Sequence, residues 1–168
     1  IKIIQNKKSL LEERTGRKIL ISAITAKSKT KKRGLDLSSY HWEKDPISLA
    51  NRDDIDVFIE LIGGHDGVAK EAVEVAINKG KDVVTANKAL LAHHGHELAL
   101  KAEKSGSILR FEAAVAGGIP VIKSLTEGLA GNSINRIIGV MNGTCNYILT
   151  RMESSGLSYE EVFSEANK

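Results

Sequence analysis

The sequence predicts an α/β fold, a parallel sheet covered by helices. Three observations carry this: apolar runs of strand length alternate with stretches of helical period, glycines sit at the joints, and the connections are short. The chain opens with Ile1, Ile3, Ile4, Leu10 and Leu11 at apolar period, a pattern that reads as the middle of a helix. Residues 18–25 and 57–62 read as strands. Between them the texture is less regular, although Asp45-Pro46 should begin a short helix, because proline suits the first helical position. After Gly63-Gly64, residues 66–79 place Val68, Ala69, Ala72, Val73 and Ala76 at helical spacing, and Gly80 stops the helix. Residues 82–85 are a third strand. Residues 88–105 are helical, with Leu91, Leu98 and Ala102 inward and Gly106 as the stop, and 108–113 form a fourth strand.

From Gly117 the pattern changes. Gly117-Gly118-Ile119-Pro120 opens a helix, and residues 133–141 read as a longer strand whose polar start assigns it to a different sheet. Asn142-Gly143 leads into a helix over 144–153, and Ser158 with Glu161 gives a capping box for the last one. A domain boundary is therefore expected near residue 117, with units 1–116 and 117–168. Lys and Arg total 24 against 21 for Asp and Glu, a net charge of +3, which gives no whole-surface case for a nucleic-acid binder. One cysteine, Cys145, excludes an intramolecular disulfide and fits a reducing compartment. With no apolar stretch near the ~18 residues a membrane helix needs and no signal-peptide pattern, a cytoplasmic protein without membrane partners is expected.

In a doubly wound sheet, ligands bind where strands end and helices begin, since free N–H groups and the helix dipole attract anions there. Gly63-Gly64 follows one such strand, and Thr85-Ala86-Asn87-Lys88 follows the next. Glycines permit close backbone approach to a ligand, and Lys88 puts a cation at a strand's carboxyl end. The same features also fit an ordinary turn and a solvated lysine. The basic run Lys27, Lys29, Lys31, Lys32 and Arg33 follows the strand expected at 18–25, where such folds meet an adenosine ribose. No carboxylate occurs between Lys18 and Asp36, which favours a 2′-phosphate and therefore NADP, with Lys27 the best-placed cation and NAD the lesser alternative. A solvated basic loop is the competing reading.

Three ordered segments resemble the homoserine dehydrogenase family: VVTANKALLAHHG from Val83, FEAAVAGGIPVIKSL from Phe111, and GVMNGTCNYILTRM from Gly139, with FIELIGG from Phe58 fitting the same pattern. The resemblance spans essentially the whole chain. It implies a Rossmann-like doubly wound parallel sheet, then the start of an α+β substrate and dimerisation domain. It further implies NADP- or NAD-dependent, reversible reduction of L-aspartate 4-semialdehyde to L-homoserine, in the route to threonine, methionine and isoleucine, by a homodimer.

By this resemblance Lys88 is catalytic and also touches the cofactor. Lys27, Ile62, Gly63, Gly64, Thr85, Asn87, Asn142, Gly143 and Thr144 are the remaining cofactor-binding positions. A monovalent cation, sodium, is implied at Glu112, Val115, Gly117 and Ile119; without the resemblance, a hinge with Glu112 capping the helix after Gly117 would be preferred. The family's first strand and Gly-rich phosphate loop are expected before Ile1, as no G-x-G-x-x-G occurs in the chain. Its acidic substrate segment and catalytic lysine are expected after Lys168. The 168 residues alone are accordingly expected to be inactive.

His93, His94 and His96 read as helix-surface residues, because neighbouring positions point in different helical directions. Cys145 could suggest a thiol nucleophile, but its place in NGTCNYI resembles a buried helix position of the family. The competing functions are another two-domain NADP-dependent oxidoreductase, such as a sugar or dihydrodipicolinate reductase, and a non-catalytic cofactor-binding or interaction segment. The TANK and NGTCNYI segments argue against those reductases.

Overall fold

The computed structural model describes residues 1–140 and 142–167. The chain divides into two compact units, Ile1–Lys123 and Ser124–Lys168. In the first, helices α1 (Lys2–Asn6) and α2 (Lys8–Thr15) precede strands β1 (Ala23–Ile24) and β2 (His41–Trp42), which pair in parallel. Then come α3 (Pro46–Ala50), β3 (Val57–Glu60), α4 (Val68–Asn78), β4 (Asp82–Thr85), α5 (Lys88–Ser105) and β5 (Leu109–Arg110). Strands β3, β4 and β5 form a parallel sheet in that order, with α4 and α5 as crossovers. This is the expected α/β arrangement. The sheet is in two pieces, and no ladder joins β1 to β3 among the described residues.

Local chemistry accounts for most boundaries. Asp45 caps α3 by accepting the Ser48 N–H at 2.6 Å, with Pro46 at the first helical position. Gly106 closes α5 in the left-handed conformation that glycine adopts without strain. The end of α3 is held by lysines: Lys79 Nζ donates to the Asn51 carbonyl at 2.8 Å, and Lys81 Nζ donates to those of Ala50 and Arg52. Burial pushes the Lys81 ammonium below the usual lysine range.

The core lies between α3, α4, α5 and the β3–β4 pair. Ala50, Phe58, Ala72, Val73, Ala76, Ile77, Val83, Leu90, Leu98 and Ala102 form one buried cluster. Two inward assignments differ: Leu90 is buried where Leu91 was expected, and α4 buries Ile77 at its far end while Val68, expected on the inward face, is exposed. Leu90 and Ile77 each lie on the helical face that meets the sheet.

Four expected strands are shorter or absent. Residues 18–22 and 25 lie outside β1, 61–62 outside β3, where the glycine turn begins, and 108 and 111–113 outside β5, where Glu112–Ala114 turns into a 3-10 helix. Residues 133–140 contain no strand and are exposed; Met141, the last residue of that expectation, lies outside the described residues. A strand exists by its ladder, and these residues have none among the described ones. The opening helix is broken at Lys7, and none of its residues is buried.

After a tight loop, α6 (Val121–Lys123) follows Gly117-Gly118-Ile119-Pro120 and runs into a π-helical turn, Ser124–Gly128. In the second unit, α7 (Gly143–Ser155) and α8 (Tyr159–Ala166) pack together, burying Ile148 and Val162. Ser158 and Glu161 form the expected capping box. Cys145 is exposed, because α7 packs on one neighbour and buries only Ile148 among its described residues; the buried position expected for the thiol is corrected.

A further tie crosses from the β3–α4 turn to α5. His94 Nε2 lies 2.9 Å from Asp66 Oδ1, His65 Nε2 lies 3.0 Å from Asp66 Oδ2, and the His65 and His93 rings stack at 4.3 Å. The His94 hydrogen bond holds the Asp66 carboxyl below the usual carboxylate range, with the His65 charge adding to it.

Two predictions follow from this packing. Ile77→Ala should lower stability by about 2–5 kcal/mol through loss of apolar contacts and a residual cavity, read by urea denaturation; an unchanged midpoint would place Ile77 outside the cooperative core. Asp66 is depressed in the folded state, so its contribution is present above the ordinary aspartate range and is lost as pH falls through the folded value. Asp66→Asn should therefore flatten the acid limb of the stability profile while leaving its shape at alkaline pH unchanged. A parallel downward shift at every pH would refute this.

Candidate active site

Strands β3 and β4 are parallel and in register with Glu60 opposite Thr85, so both carboxyl ends reach the same edge of the sheet. Two turns leave from that edge: Leu61-Ile62-Gly63-Gly64 after β3, and Ala86-Asn87 after β4. Gly63 and Gly64 have φ of 88° and 83°, which L-residues with a side chain rarely adopt. A Cβ at either glycine would meet nothing within 4 Å, so the backbone here faces open space on which a ligand can lie.

Beneath the turns lies Glu60, fully buried. Its Oε1 accepts the N–H groups of Ile62 at 2.6 Å and Gly63 at 3.1 Å, and its Oε2 accepts the Thr85 hydroxyl at 2.5 Å. The Thr85 oxygen in turn accepts the Asn87 N–H at 3.0 Å. Asn87 Nδ2 donates back to the Gly64 carbonyl at 2.7 Å, and its Oδ1 caps α5 by accepting the Leu90 N–H at 3.1 Å. Ile62, Gly63, Gly64, Thr85 and Asn87, picked out in the sequence, are thus assembled in one network. Glu60 was missed. The signal was available in the alternation of a strand: Glu60 shares a face with Phe58, and Phe58 belongs to the core.

Lys88 is the first residue of α5 and is exposed at the same edge. A cation at a helix N-terminus opposes the macrodipole, and the first turn of α5 contains no acidic residue to offset it. Fold stability alone does not account for a lysine in that place.

The basic loop is exposed from Ala26 to Arg33 and follows the carboxyl end of β1. Lys29 and Arg33 lie over the Trp42 ring, 5.7 and 5.8 Å from its centroid. Arg33 also donates to the carbonyls of Ser28 and Lys31 at 2.7 and 2.9 Å. Lys27 sits at the start of this loop, exposed.

Around Glu112, the backbone is wound tightly: Ala116, Gly117 and Gly118 all have positive φ, at 53°, 58° and 100°. Glu112 Oε1 accepts the Ile122 N–H at 3.1 Å and Oε2 accepts that of Lys123 at 2.8 Å. Val115 and Ile119 flank the wound segment in extended conformation. In the second unit, Asn142 Oδ1 accepts the Cys145 N–H at 2.9 Å and caps α7, with Gly143 and Thr144 in its first turn.

A cleft of about 570 Å³ opens at the other end of β3 and β4, among Asp53, Ile55, Asp56, Lys79, Gly80, Lys81 and Asp82. Most of its charged groups are engaged: Lys79 pairs with Asp53 at 2.9 Å, Lys81 holds backbone carbonyls, and Asp82 Oδ1 accepts the Ile108 N–H at 2.8 Å. Among the described residues no cluster of histidine, cysteine and carboxylate side chains suits a metal ion, and no helix is long and apolar enough to cross a membrane.

Residues 2–112 match the homoserine dehydrogenase NAD-binding domain model, and residues 120–168 match the homoserine dehydrogenase model. Homoserine dehydrogenase from Neisseria gonorrhoeae is 48% identical over 164 residues, covering 98% of this chain and 37% of that protein. The crystal structure of the Thiobacillus denitrificans homoserine dehydrogenase superposes with a TM-score of 0.81 at 38% identity, over 98% of this chain and 38% of that one. A hyperthermophilic archaeal homoserine dehydrogenase solved in complex with NADPH gives a TM-score of 0.62 at 27% identity, over 96% of this chain and 45% of that one. The chain thus spans well under half the length of these relatives, and over that span it belongs to the homoserine dehydrogenase family.

Proposed function

We propose that this chain supplies most of the dinucleotide-binding domain and the start of the substrate domain of an NADP-dependent homoserine dehydrogenase, which reversibly reduces L-aspartate 4-semialdehyde to L-homoserine. The observation that carries the reading is the pair of turns joined through Glu60 at one sheet edge, with Lys88 beside them against the dipole of α5. Bound nicotinamide supplies the hydride. Residues Ile62, Gly63 and Gly64 offer a side-chain-free surface to the dinucleotide, while Thr85 and Asn87 fix the neighbouring turn. Lys88 places a positive charge where a carbonyl oxygen turns into an alkoxide, and charge stabilisation of that kind is strongest in a site that excludes water. Asn142, Gly143 and Thr144 contribute N–H groups at a second helix N-terminus to the nicotinamide and substrate.

Cofactor preference rests on the basic loop after β1, where Lys27 meets the 2′-phosphate of NADP and no carboxylate is present to favour NAD. The segment from Glu112 to Ile119 holds a sodium ion through Glu112, Val115, Gly117 and Ile119. An oxygen-only donor set suits a hard cation, and the Glu112 carboxylate retains lone pairs beyond the two N–H groups it accepts. The ion's work there is to fix the wound backbone between the dinucleotide domain and the substrate domain, whose boundary we set near residue 117. The enzyme acts as a homodimer in the cytoplasm, in the route to threonine, methionine and isoleucine, with neither nucleic acid nor membrane as partner.

Both tests use a chain of the relatives' full length that carries this sequence. Lys88→Ala should lower kcat for homoserine-dependent NADP reduction by about 10²–10³-fold, the scale of one lost charge-stabilising donor, with the melting temperature retained. Near-normal kinetics would return Lys88 to the status of a solvated surface lysine. Lys27→Glu should raise the KM for NADPH more than that for NADH in the reverse direction, and equal changes for the two cofactors would remove Lys27 from phosphate recognition.

A further inference from the structure

We infer that Glu60 is a positioning residue for dinucleotide binding, setting the turn after β3 and the turn after β4 as one unit. The inference rests on the reading above that these turns hold the cofactor. A buried carboxylate is costly wherever an apolar side chain would fill the space, and β3 is otherwise apolar, Val57-Phe58-Ile59 preceding Glu60. The carboxyl group has three donors around it, two backbone N–H groups of one turn and the Thr85 hydroxyl of the other. All three donate, which is the arrangement an acceptor-only carboxylate requires. The hydrogen bonds then run in one direction, from the Asn87 N–H to the Thr85 oxygen and from the Thr85 hydroxyl to Glu60. Asn87 closes the ring by donating to the Gly64 carbonyl.

What makes this a binding device and not only a stabilising one is the chain it restrains. Gly63 and Gly64 carry positive φ, and glycine has more backbone conformations to lose than any other residue. Left alone, a Gly-Gly turn would have to be ordered by its ligand, at the ligand's expense in affinity. Glu60 orders it beforehand through the Ile62 and Gly63 N–H groups. Through Thr85 and Asn87 it also fixes the first turn of α5, where Lys88 stands. One carboxylate therefore sets the distance between the surface that receives the dinucleotide and the cation beside it.

The test uses a chain of the relatives' full length carrying this sequence, with NADPH as the probe, its binding followed by nucleotide fluorescence, and thermal unfolding measured in parallel. Glu60→Ala should raise the NADPH dissociation constant about tenfold or more. Glu60→Gln should fall between the native chain and Glu60→Ala, since its amide oxygen still accepts the Ile62 and Gly63 N–H groups while its amide nitrogen cannot accept the Thr85 hydroxyl. Thr85→Val should weaken binding too, and Thr85→Val added to Glu60→Ala should weaken it no further, because the two residues act through one network. Glu60→Ala that unfolds more easily yet binds NADPH as tightly as the native chain would overturn the inference. If Glu60→Ala does not fold, Thr85→Val decides, and native affinity in that variant would overturn it equally. A native chain that fails to bind NADPH would instead remove the dinucleotide reading, and this inference with it.

Discussion

A single buried carboxylate holds together the edge of the sheet on which the site depends. Glu60 accepts from Ile62 and Gly63 on its own strand's turn and from Thr85 on the next. The parallel register that puts Glu60 opposite Thr85 is what brings these donors within reach. A slip of one residue would turn Glu60 to the other face of the sheet, and the network would have no acceptor. Register, turn geometry and helix capping are thus bound to each other: the strands place the carboxylate, the carboxylate orders the glycines, and Asn87 passes the same order to the start of α5.

The two ends of this sheet do different work. At the carboxyl end, polar groups are buried in a closed set of hydrogen bonds, and Lys88 stands exposed where the helix dipole disfavours it. At the amino end, Lys79 and Lys81 are engaged on the carbonyls that close α3, and they line the cleft there. Between the ends, α4 and α5 bury an aliphatic face against Phe58 and Val83. The apolar core gives stability without direction, and the polar set at one end supplies the direction.

Elements with their own caps and a sustained apolar period were legible in the sequence. The α4 and α5 helices, with glycines at or near their ends, Asp45-Pro46 at α3 and the Ser158–Glu161 box at α8 are written in local chemistry, and they stand where expected. Strands need a partner, and partners are set by the whole chain. Residues 18–22 and 133–140 have the apolar content of strands but no ladder among the described residues. At the site, glycines and Lys88 could be found from the positions of strand ends, and strand alternation puts Glu60 on the core face with Phe58, whereas what Glu60 binds there could not be read. A glutamate in an apolar run is an anomaly on paper. Its meaning appears only when Thr85, twenty-five positions later, is brought opposite. The same holds for Asp66, whose partner His94 lies on another element, and for His65, whose ring stacks on His93 there.

The glycine turn is constrained by handedness and not by volume. Around Gly63 and Gly64 there is room for a methyl group, yet φ of 88° and 83° places both in a region that suits the mirror image of an ordinary residue. L-alanine would strain the turn by its chirality alone, whereas a D-residue carries the handedness that this φ suits. Sequence drift at these two positions is therefore restricted by the stereochemistry of the twenty encoded residues, among which glycine is the achiral one, and chemical synthesis can explore substitutions here that mutation cannot reach.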